Sequence, residues 1–272
     1  MQNFSEDDFD LFLLPHQDDE FGAFFLIDTS LSLGRTPIII FLTNGAYGRA
    51  TTDQRNGESS KVLTQLGVAS ERIWYLGTSK AIEDQGLAEN LKTVFDAILA
   101  ALNQNGDLLA INSIYAPSWE GGHPDHDAAA LLAVAIGRAL GRESHVYQFP
   151  LYNSNNKVFF PYTALNPIAE AGSVKEFRIP ATRRLKYLKL CTEYKSQRKT
   201  FIGLLPFVFI HYITRGTQQI QALTAATTSD RPHRGPLLYE RRGWQTQSEF
   251  EKKVAAFRRE HGLSLTSRLR TP

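Results

Sequence analysis

Five short apolar runs recur along the first 150 residues, and a longer mixed segment follows each of them. A near-continuous run of β-branched and aromatic residues is typical of a strand that is buried on both faces of a parallel sheet. The run at 37–43 is the purest example. The pattern predicts strands at 9–15, 37–43, 72–77, 108–115 and 145–149.

The segments between these runs place apolar residues at the three-to-four-residue spacing of amphipathic helices. Gly67 and Gly141 close two of them, as glycines at helix C-termini often do. We predict helices at 21–33, 58–66, 87–103 and 125–140. This alternation predicts an α/β fold, with a Rossmann-like, doubly wound, mostly parallel sheet flanked by helices.

The pattern is less regular after residue 150. Asparagines, prolines and scattered aromatic residues at 151–180 predict loops and edge strands. We predict a basic helix at 182–199 with a solvated face, and a last helix that a capping box of Ser248 and Glu251 opens. The apolar residues at 201–213 are interpreted as core, with contact to a lipid or a partner subunit as the alternative.

These elements predict one domain spanning residues 1–272. Residues 1–150 would form its core, and residues 151–272 a less regular C-terminal extension that lines the substrate side. The longest apolar run, at 201–213, is too short to span a bilayer. The acidic N-terminus lacks the features of a signal peptide, so we expect a cytoplasmic protein.

Composition narrows the partners only slightly. The formal net charge is +2 over 272 residues, which gives no basis for a nucleic-acid partner, and we expect none. Cys191 is the only cysteine, so no intrachain disulfide can form, and we interpret it as a buried bystander.

Two polar clusters carry the candidate chemistry. The first predicted strand ends in His16, Asp18, Asp19 and Glu20, and a second cluster spans residues 123–127 with a histidine at each of positions 123 and 126. Ligands commonly lie at the carboxyl ends of strands in α/β proteins. A catalytic zinc usually has three protein ligands and one open position, so the second cluster can supply what the first lacks.

Each cluster also has an ordinary structural interpretation. Carboxylates after a strand can cap the next helix and favour its dipole. A His-Pro-Asp-His run can be a polar turn, with Pro124 at the first helical position. The occurrence of both clusters after strands of one α/β pattern favours a shared metal site.

The same residues resemble a known family. The run Pro15 to Glu20, Pro-His-Gln-Asp-Asp-Glu, is similar to the Ala-His-Pro-Asp-Asp-Glu signature of the PIG-L/LmbE-like zinc-dependent N-deacetylases. Residues 119–127 resemble the second motif of that family. Weaker matches follow in the expected order at 43–45, 55–68, 84–87 and 194–197, so that the resemblance covers roughly residues 10–200.

The resemblance implies a role for each matching residue. His16, Asp19 and His126 would bind Zn²⁺. Asp18 would be the general base, and His123 would lie near the developing oxyanion, as an imidazolium that Asp125 orients. Two further matches fall where the family binds the sugar of its substrate, namely Arg55 and Asp84. Glu20 would have a supporting role.

The implied reaction is hydrolysis of an N-acetyl group from an amino sugar or an N-acetylglucosaminyl conjugate. The partner would be a small N-acetylated sugar or glycoconjugate, and assembly as a homo-oligomer stays open. Gln17 replaces the usual proline without altering the spacing of the ligands. Gly121 falls where some relatives that act on a thiol-precursor sugar carry a tyrosine, which argues against that substrate.

Two other function classes remain as alternatives. Clustered aspartates at a strand end could serve a metal-dependent phosphoester hydrolase, although the further ligands of a two-metal site and a Gly-x-x-x-x-Gly-Lys loop are missing. A non-catalytic sugar-binding module on the same fold would not need the complete set of histidines and aspartates. Metal preference distinguishes the first alternative, since a deacetylase of this kind would work with zinc and not with magnesium alone.

Overall fold

A computed structural model describes residues 8–46, 50–154 and 162–263. Its central feature is a seven-stranded sheet in the order β3-β2-β1-β4-β5-β9-β8. The strands are β1 (Phe9–Leu14), β2 (Thr36–Phe41), β3 (Ile73–Tyr75), β4 (Ile111–Pro117), β5 (Val146–Phe149), β8 (Val174–Arg178) and β9 (Thr217–Ala222). Strands β6 (Tyr152–Asn153) and β7 (Thr163–Ala164) form a separate two-stranded ladder.

The helices connect the strands in the predicted alternation. The longer ones are α1 (Phe24–Ser32), α2 (Thr52–Leu66), α4 (Leu91–Gln104), α5 (Pro124–Ala139), α6 (Ala181–Cys191), α7 (Arg198–Thr214) and α9 (Gln247–Glu260). Two α-helices are single turns, α3 (Leu76–Ser79) and α8 (Leu238–Arg241). The first five strands of the sheet order pair in parallel, and β9 and β8 add antiparallel pairs at one edge.

Alternating strand residues build a separate core on each face of the sheet. Leu11 and Leu13 of β1 point into one core with α4, α5 and α9, whereas Phe12 and Leu14 point into the other with α1, α2, α6 and α7. Because both faces are covered, β1 is apolar at consecutive positions and does not alternate with polar residues. The predicted fold class, a mostly parallel α/β sheet flanked by helices, is confirmed.

Several local expectations change. The helix predicted at 182–199 is two helices, α6 and α7, because the chain leaves the helix to bury Tyr194 and to donate hydrogen bonds from Ser196 to Glu58. The last helix is capped by Thr246 with Glu249, two residues before the predicted pair. Strand β3 is shorter than predicted, and α2 begins earlier, at a capping box of Thr51 and Gln54.

The strand order positions the site. Strand β1 pairs with β2 on one side and with β4 on the other, so the chain winds away from β1 in both directions. In sheets of this kind the crevice at such a reversal, at the carboxyl ends of the strands, is the usual binding site. Here the two ends that meet are Leu14 of β1 and Pro117 of β4.

Candidate metal centre

The two polar clusters come together at this crevice. Residues 15–20 form a tight turn between β1 and α1, and residues 118–123 form the turn between β4 and α5. His123 is the N-cap of α5, with Pro124 as the first helical residue. A helix that starts there carries His126 on its first turn, which directs that side chain back towards the end of β1.

Three side chains converge at the centre of the site. The Nδ1 atom of His16 lies 3.2 Å from Oδ2 of Asp19, and Nε2 of His126 lies 3.1 Å from Oδ1 of the same carboxylate. All three residues are buried. Two imidazoles and one carboxylate form a donor set that suits zinc. The residues that the resemblance implies as metal ligands are therefore neighbours, although 107 positions separate Asp19 from His126.

His123 also lies close to His16 and His126. One ring nitrogen from each of His16, His123 and His126 lies within 4.8 Å of the others, and so do ligand atoms of His16, Asp84, His123 and Asp125. The nitrogens of His123 are already engaged, however. Its Nδ1 accepts a hydrogen bond from the Asp125 backbone N–H at 3.1 Å, and its Nε2 lies 3.5 Å from Asp84.

Asp125 is closer to His16 than to His123. Its Oδ2 lies 3.1 Å from Nε2 of His16 and 4.0 Å from Nδ1 of His123. The same fully buried carboxylate accepts the backbone N–H groups of Gln85 and Leu87 at 2.6 and 3.1 Å. A carboxylate held in this way fixes the orientation of the imidazole ring that it contacts.

Electrostatics matches this packing. Burial raises the pKa of Asp19, but His126 and His16 outweigh it and hold the pKa well below its usual range. Burial alone would lower the pKa of His16, and the carboxylates of Asp84 and Asp19 instead raise it well above the ordinary value. The site therefore concentrates carboxylate charge around one imidazole, a setting that favours a bound cation.

Asp18 precedes Asp19 in the turn and lines the same pocket as His16 and Asp19. Its backbone has a φ of 124°, which is uncommon for a residue with a side chain. The backbone N–H donates to Glu20 at 2.8 Å, and the Asp18 carboxylate accepts from Arg55 at 3.0 Å. Burial raises the pKa of Asp18 to about 7, although Arg55 opposes the shift. Strained backbone of this kind occurs most often at functional sites.

Glu20 stabilises this turn by accepting the backbone N–H of Asp18. It is fully buried, and burial raises the pKa of its carboxyl group to about 7. Gln17, where the family usually has proline, is also buried and donates to Asn56 at 2.7 Å and to the Thr43 carbonyl at 3.4 Å. These hydrogen bonds anchor the turn that a proline would otherwise stiffen.

Arg55 and Asp84 both line the pocket at this site. Arg55 donates to the carbonyls of Gly45 and Gln17 as well as to Asp18, so much of its hydrogen-bonding capacity is already used. Burial raises the pKa of Asp84, but the neighbouring His16 and His123 lower it below its ordinary range. Asp84 is therefore a carboxylate at neutral pH and can accept hydrogen bonds from hydroxyl groups.

His123 is neutral in this arrangement. Burial and the nearby His16 lower the pKa of its imidazole. Because Nδ1 accepts the backbone N–H of Asp125, the ring proton is on Nε2, which faces Asp84 and the pocket. This geometry favours an uncharged hydrogen-bond donor in the resting protein, whereas the resemblance implies an imidazolium.

A cavity of about 620 Å³ opens above these residues. Its floor contains His16, Asp18, Asp19 and His123. Seven further lining residues come from the chain after residue 150: Tyr152, Tyr162, Gln197, Gly203, Leu204, Arg242 and Trp244.

Trp244 is the clearest of the residues that the sequence did not single out. Its indole packs edge-on against the imidazole of His123, with ring centroids 4.9 Å apart, and Arg242 lies 4.8 Å above the indole. The segment that carries them is tied to the second motif by a hydrogen bond from the Leu238 N–H to the Gly121 carbonyl. No sequence motif marks these positions, because only the folded chain brings them to the site.

Comparisons with known proteins find one matching family model. Residues 11–136 match the family model described as PIG-L, GlcNAc-PI de-N-acetylase. No curated protein matches the chain.

Solved structures share the fold. The N,N'-diacetylchitobiose deacetylase from Pyrococcus horikoshii has a TM-score of 0.54 at 18% identity, covering 79% of this chain and 83% of that one. A zinc-inhibited form of teicoplanin deacetylase has a TM-score of 0.53 at 13% identity, covering 78% and 97%. A conserved protein from Thermus thermophilus has a TM-score of 0.52 at 21% identity, covering 79% and 93%.

Proposed function

We propose that this chain, whose residues 11–136 match the PIG-L family model, is a zinc-dependent hydrolase that removes an N-acetyl group from an amino sugar or an N-acetylglucosaminyl conjugate. The observation that supports the proposal most directly is the convergence of His16 and His126 on the Asp19 carboxylate, with the unligated carboxylate of Asp18 beside them. A metal centre with a base beside it can catalyse the attack of water on an amide.

His16, Asp19 and His126 would hold the metal ion. The choice of His126 over His123 rests on their contacts, since Nε2 of His126 faces Asp19 and the nitrogens of His123 face Asp125 and Asp84. A bound zinc ion would polarise the carbonyl of the amide and acidify the attacking water. Asp125 would orient the ring of His16 by accepting a hydrogen bond from its Nε2–H group.

Asp18 would be the general base. A base works best when its pKa lies near the working pH, because it is then both deprotonated and sufficiently basic. Burial brings the pKa of Asp18 to about 7, and the carboxylate lines the cavity. Asp18 would accept a proton from the attacking water and return it to the departing amine.

His123 would stabilise the oxygen of the former carbonyl. Its Nε2–H points into the cavity, where negative charge develops as the amide is attacked. A preorganised donor at such a position typically contributes about 10²–10³-fold to the rate. Trp244 would keep the imidazole in this orientation through their edge-on contact.

The remaining walls suit a sugar. Asp84 and Arg55 offer an acceptor and a donor to hydroxyl groups, and Tyr152, Tyr162 and Trp244 supply aromatic surface for the ring and its substituent. A cavity of about 620 Å³ is in the range of small-molecule sites. The aglycone would face Arg242 at the outer wall.

A panel of N-acetylated sugars and glycoconjugates tests the proposal. Release of acetate by the zinc-loaded protein, measured with an enzyme-coupled assay, is the expected result, with no release when magnesium replaces zinc. Because one solved structure is described as a zinc-inhibited deacetylase, zinc should be titrated and not added in excess. Phosphoester hydrolysis with magnesium, or no acetate from any member of the panel, would contradict the assignment.

The pH profile should report on Asp18. Turnover should rise with pH through about 7, because only the carboxylate form can accept a proton and burial raises its pKa to about 7. The charge of Arg55 lowers that pKa, so Arg55→Gln should move the acidic limb of the kcat profile to higher pH. Arg55→Lys, which keeps the charge, should leave the limb closer to its original position, and identical limbs in all three proteins would exclude Asp18 as its source.

A further inference from the structure

Exposed apolar side chains are concentrated in one part of the molecule. Among the residues that the structure describes, eight large hydrophobic side chains are exposed, and six of them lie between residues 174 and 213. The six are Val174, Phe177, Leu185, Phe209, Ile210 and Ile213. Scattered exposed hydrophobics are normal on a protein surface, but a cluster of them indicates an interaction site.

Helix α7 contributes the longest exposed apolar row. Pro206, Phe209, Ile210 and Ile213 have the spacing of a single helix face, and the last three are 49%, 56% and 59% exposed. The opposite side of the helix is apolar as well, and packs into the core through Val208 and other buried residues. A helix that is apolar on all sides is normally buried on all sides. The exposed side of α7 is therefore a surface that its sequence predicts to be covered by another molecule.

Neighbouring elements extend this row. The guanidinium of Arg184 on α6 donates to the carbonyls of Ile179, just after β8, and of Tyr212 on α7. Three elements therefore meet around Arg184, and each carries an exposed apolar residue within two positions of a bonded residue, namely Phe177, Leu185 and Ile213. We call the surface formed by these three residues with Phe209 and Ile210, together with the basic residues described next, the apolar–basic face.

Positive charge is concentrated in the same segment. Residues 174–215 contain ten Lys or Arg residues and only two Glu, a net charge of +8, whereas the whole chain has +2. Asp28 pairs with two of these cations, Arg183 and Lys186. Lys175, Arg178 and Lys189 are exposed and make no ion pair within the described residues. The rest of the chain is correspondingly acidic.

We propose that the apolar–basic face docks on the surface of a bilayer that contains anionic phospholipids. Apolar side chains that insert at the headgroup boundary, flanked by lysines and arginines that meet anionic lipids, are the usual features of interfacial binding. Two copies of the same basic face would repel each other, which disfavours self-association. No helix in the described ranges is long and apolar enough to cross a membrane.

Helix α7 connects the apolar–basic face with the cavity. Gly203 and Leu204, which line the cavity, belong to the same helix as Phe209 and Ile210. Six residues of helix span about 9 Å, so the cavity wall and the exposed row are close along α7. Docking would hold this wall of the cavity near the headgroup layer. The inference concerns binding alone and does not depend on the proposed deacetylase activity.

Vesicle co-sedimentation of the full chain tests the inference without any turnover. The protein should pellet with vesicles of phosphatidylcholine and phosphatidylglycerol, and much less with phosphatidylcholine alone. Added salt should weaken the binding, because it screens the attraction between the lysines and the lipid surface. Failure to pellet with the anionic vesicles would overturn the proposal.

Paired variants identify the surface. Ile210→Ser with Ile213→Ser, and separately Lys175→Glu with Lys189→Glu, should each reduce vesicle partitioning by at least about tenfold. Leu109→Ser removes an exposed apolar residue elsewhere, and Lys80→Glu with Lys252→Glu reverses two exposed charges elsewhere, so both controls should bind like the parent. Thermal unfolding of each variant checks that it is folded.

Two results would overturn the assignment of this surface. Undiminished partitioning of the folded variants would place the lipid contact elsewhere. Sedimentation velocity that showed a dimer in the parent, lost in Ile210→Ser with Ile213→Ser and accompanied by no vesicle binding, would assign the face to a second copy of this chain.

Discussion

Asp18→Asn should lower kcat by about 10²–10⁴-fold while the metal stays bound, because a positioned general base typically contributes that much. Asparagine has nearly the shape of aspartate but cannot accept a proton at neutral pH. It also tolerates positive φ better than most residues, so the backbone at φ 124° should persist. The measurement is steady-state kcat and KM on the substrate that the panel identifies, together with metal content by mass spectrometry.

The control for this variant is Asp53→Asn, at an exposed position in the first turn of α2. It makes the same chemical change outside the cavity and should leave kcat within about twofold of the parent. The separate effects on kcat and KM distinguish a lost base from lost substrate contacts. Loss of a base acts in the transition state and should fall on kcat, whereas lost substrate contacts would appear first in KM. A rate unchanged in Asp18→Asn would show that another group takes the proton.

The sequence predicts the half of this site that depends on local order. His16, Asp18 and Asp19 follow a strand that is apolar at consecutive positions, and that pattern alone places them at the edge of a sheet covered on both faces. His123 and Pro124 likewise mark the start of a helix. Such signals are local, because the period of burial and the cap residues are written in neighbouring positions.

The contacts between the two motifs are not local. Asp125 lies two positions from His123, and proximity in sequence suggests that it orients that ring, yet its carboxylate meets His16 across 109 positions. That pairing depends on β1 and β4 being neighbours in the sheet, which no periodicity reveals. Arg242 and Trp244 reach the cavity only because the chain after β9 folds back onto the second motif.

The division of the predicted basic helix has the same origin. Residues 182–199 have a helical pattern throughout, but Tyr194 and Ser196 gain more from burial and from the Glu58 carboxylate than from continuing the helix. Tertiary contacts override local propensity, which is worth only a few tenths of a kcal/mol per residue. The interpretation of 201–213 as core is correct for the inward side of α7, whereas the outward side is exposed.

His126→Ala should abolish stoichiometric metal binding, with a loss of affinity greater than the 10–100-fold that is typical when only an outer partner of a metal ligand is changed. The imidazole is one of three converging groups, and its Nε2 lies 3.1 Å from Asp19. Alanine would leave two ligands, too few to hold a catalytic zinc. Competition with a chromophoric chelator measures the affinity directly, and no substrate is needed.

Two further variants serve as a control and as an intermediate case for this measurement. His145→Ala removes an exposed histidine far from the cavity and should bind metal like the parent. Asp125→Asn keeps every proposed ligand but weakens the orientation of His16, so its affinity should fall by about 10–100-fold and lie between the other two. Metal should raise the melting temperature of the parent and of His145→Ala, because a ligand that binds only the folded state stabilises it, and this increment should vanish in His126→Ala. Full metal occupancy in His126→Ala, with His123→Ala losing the metal instead, would transfer the third ligand to the other histidine of the motif.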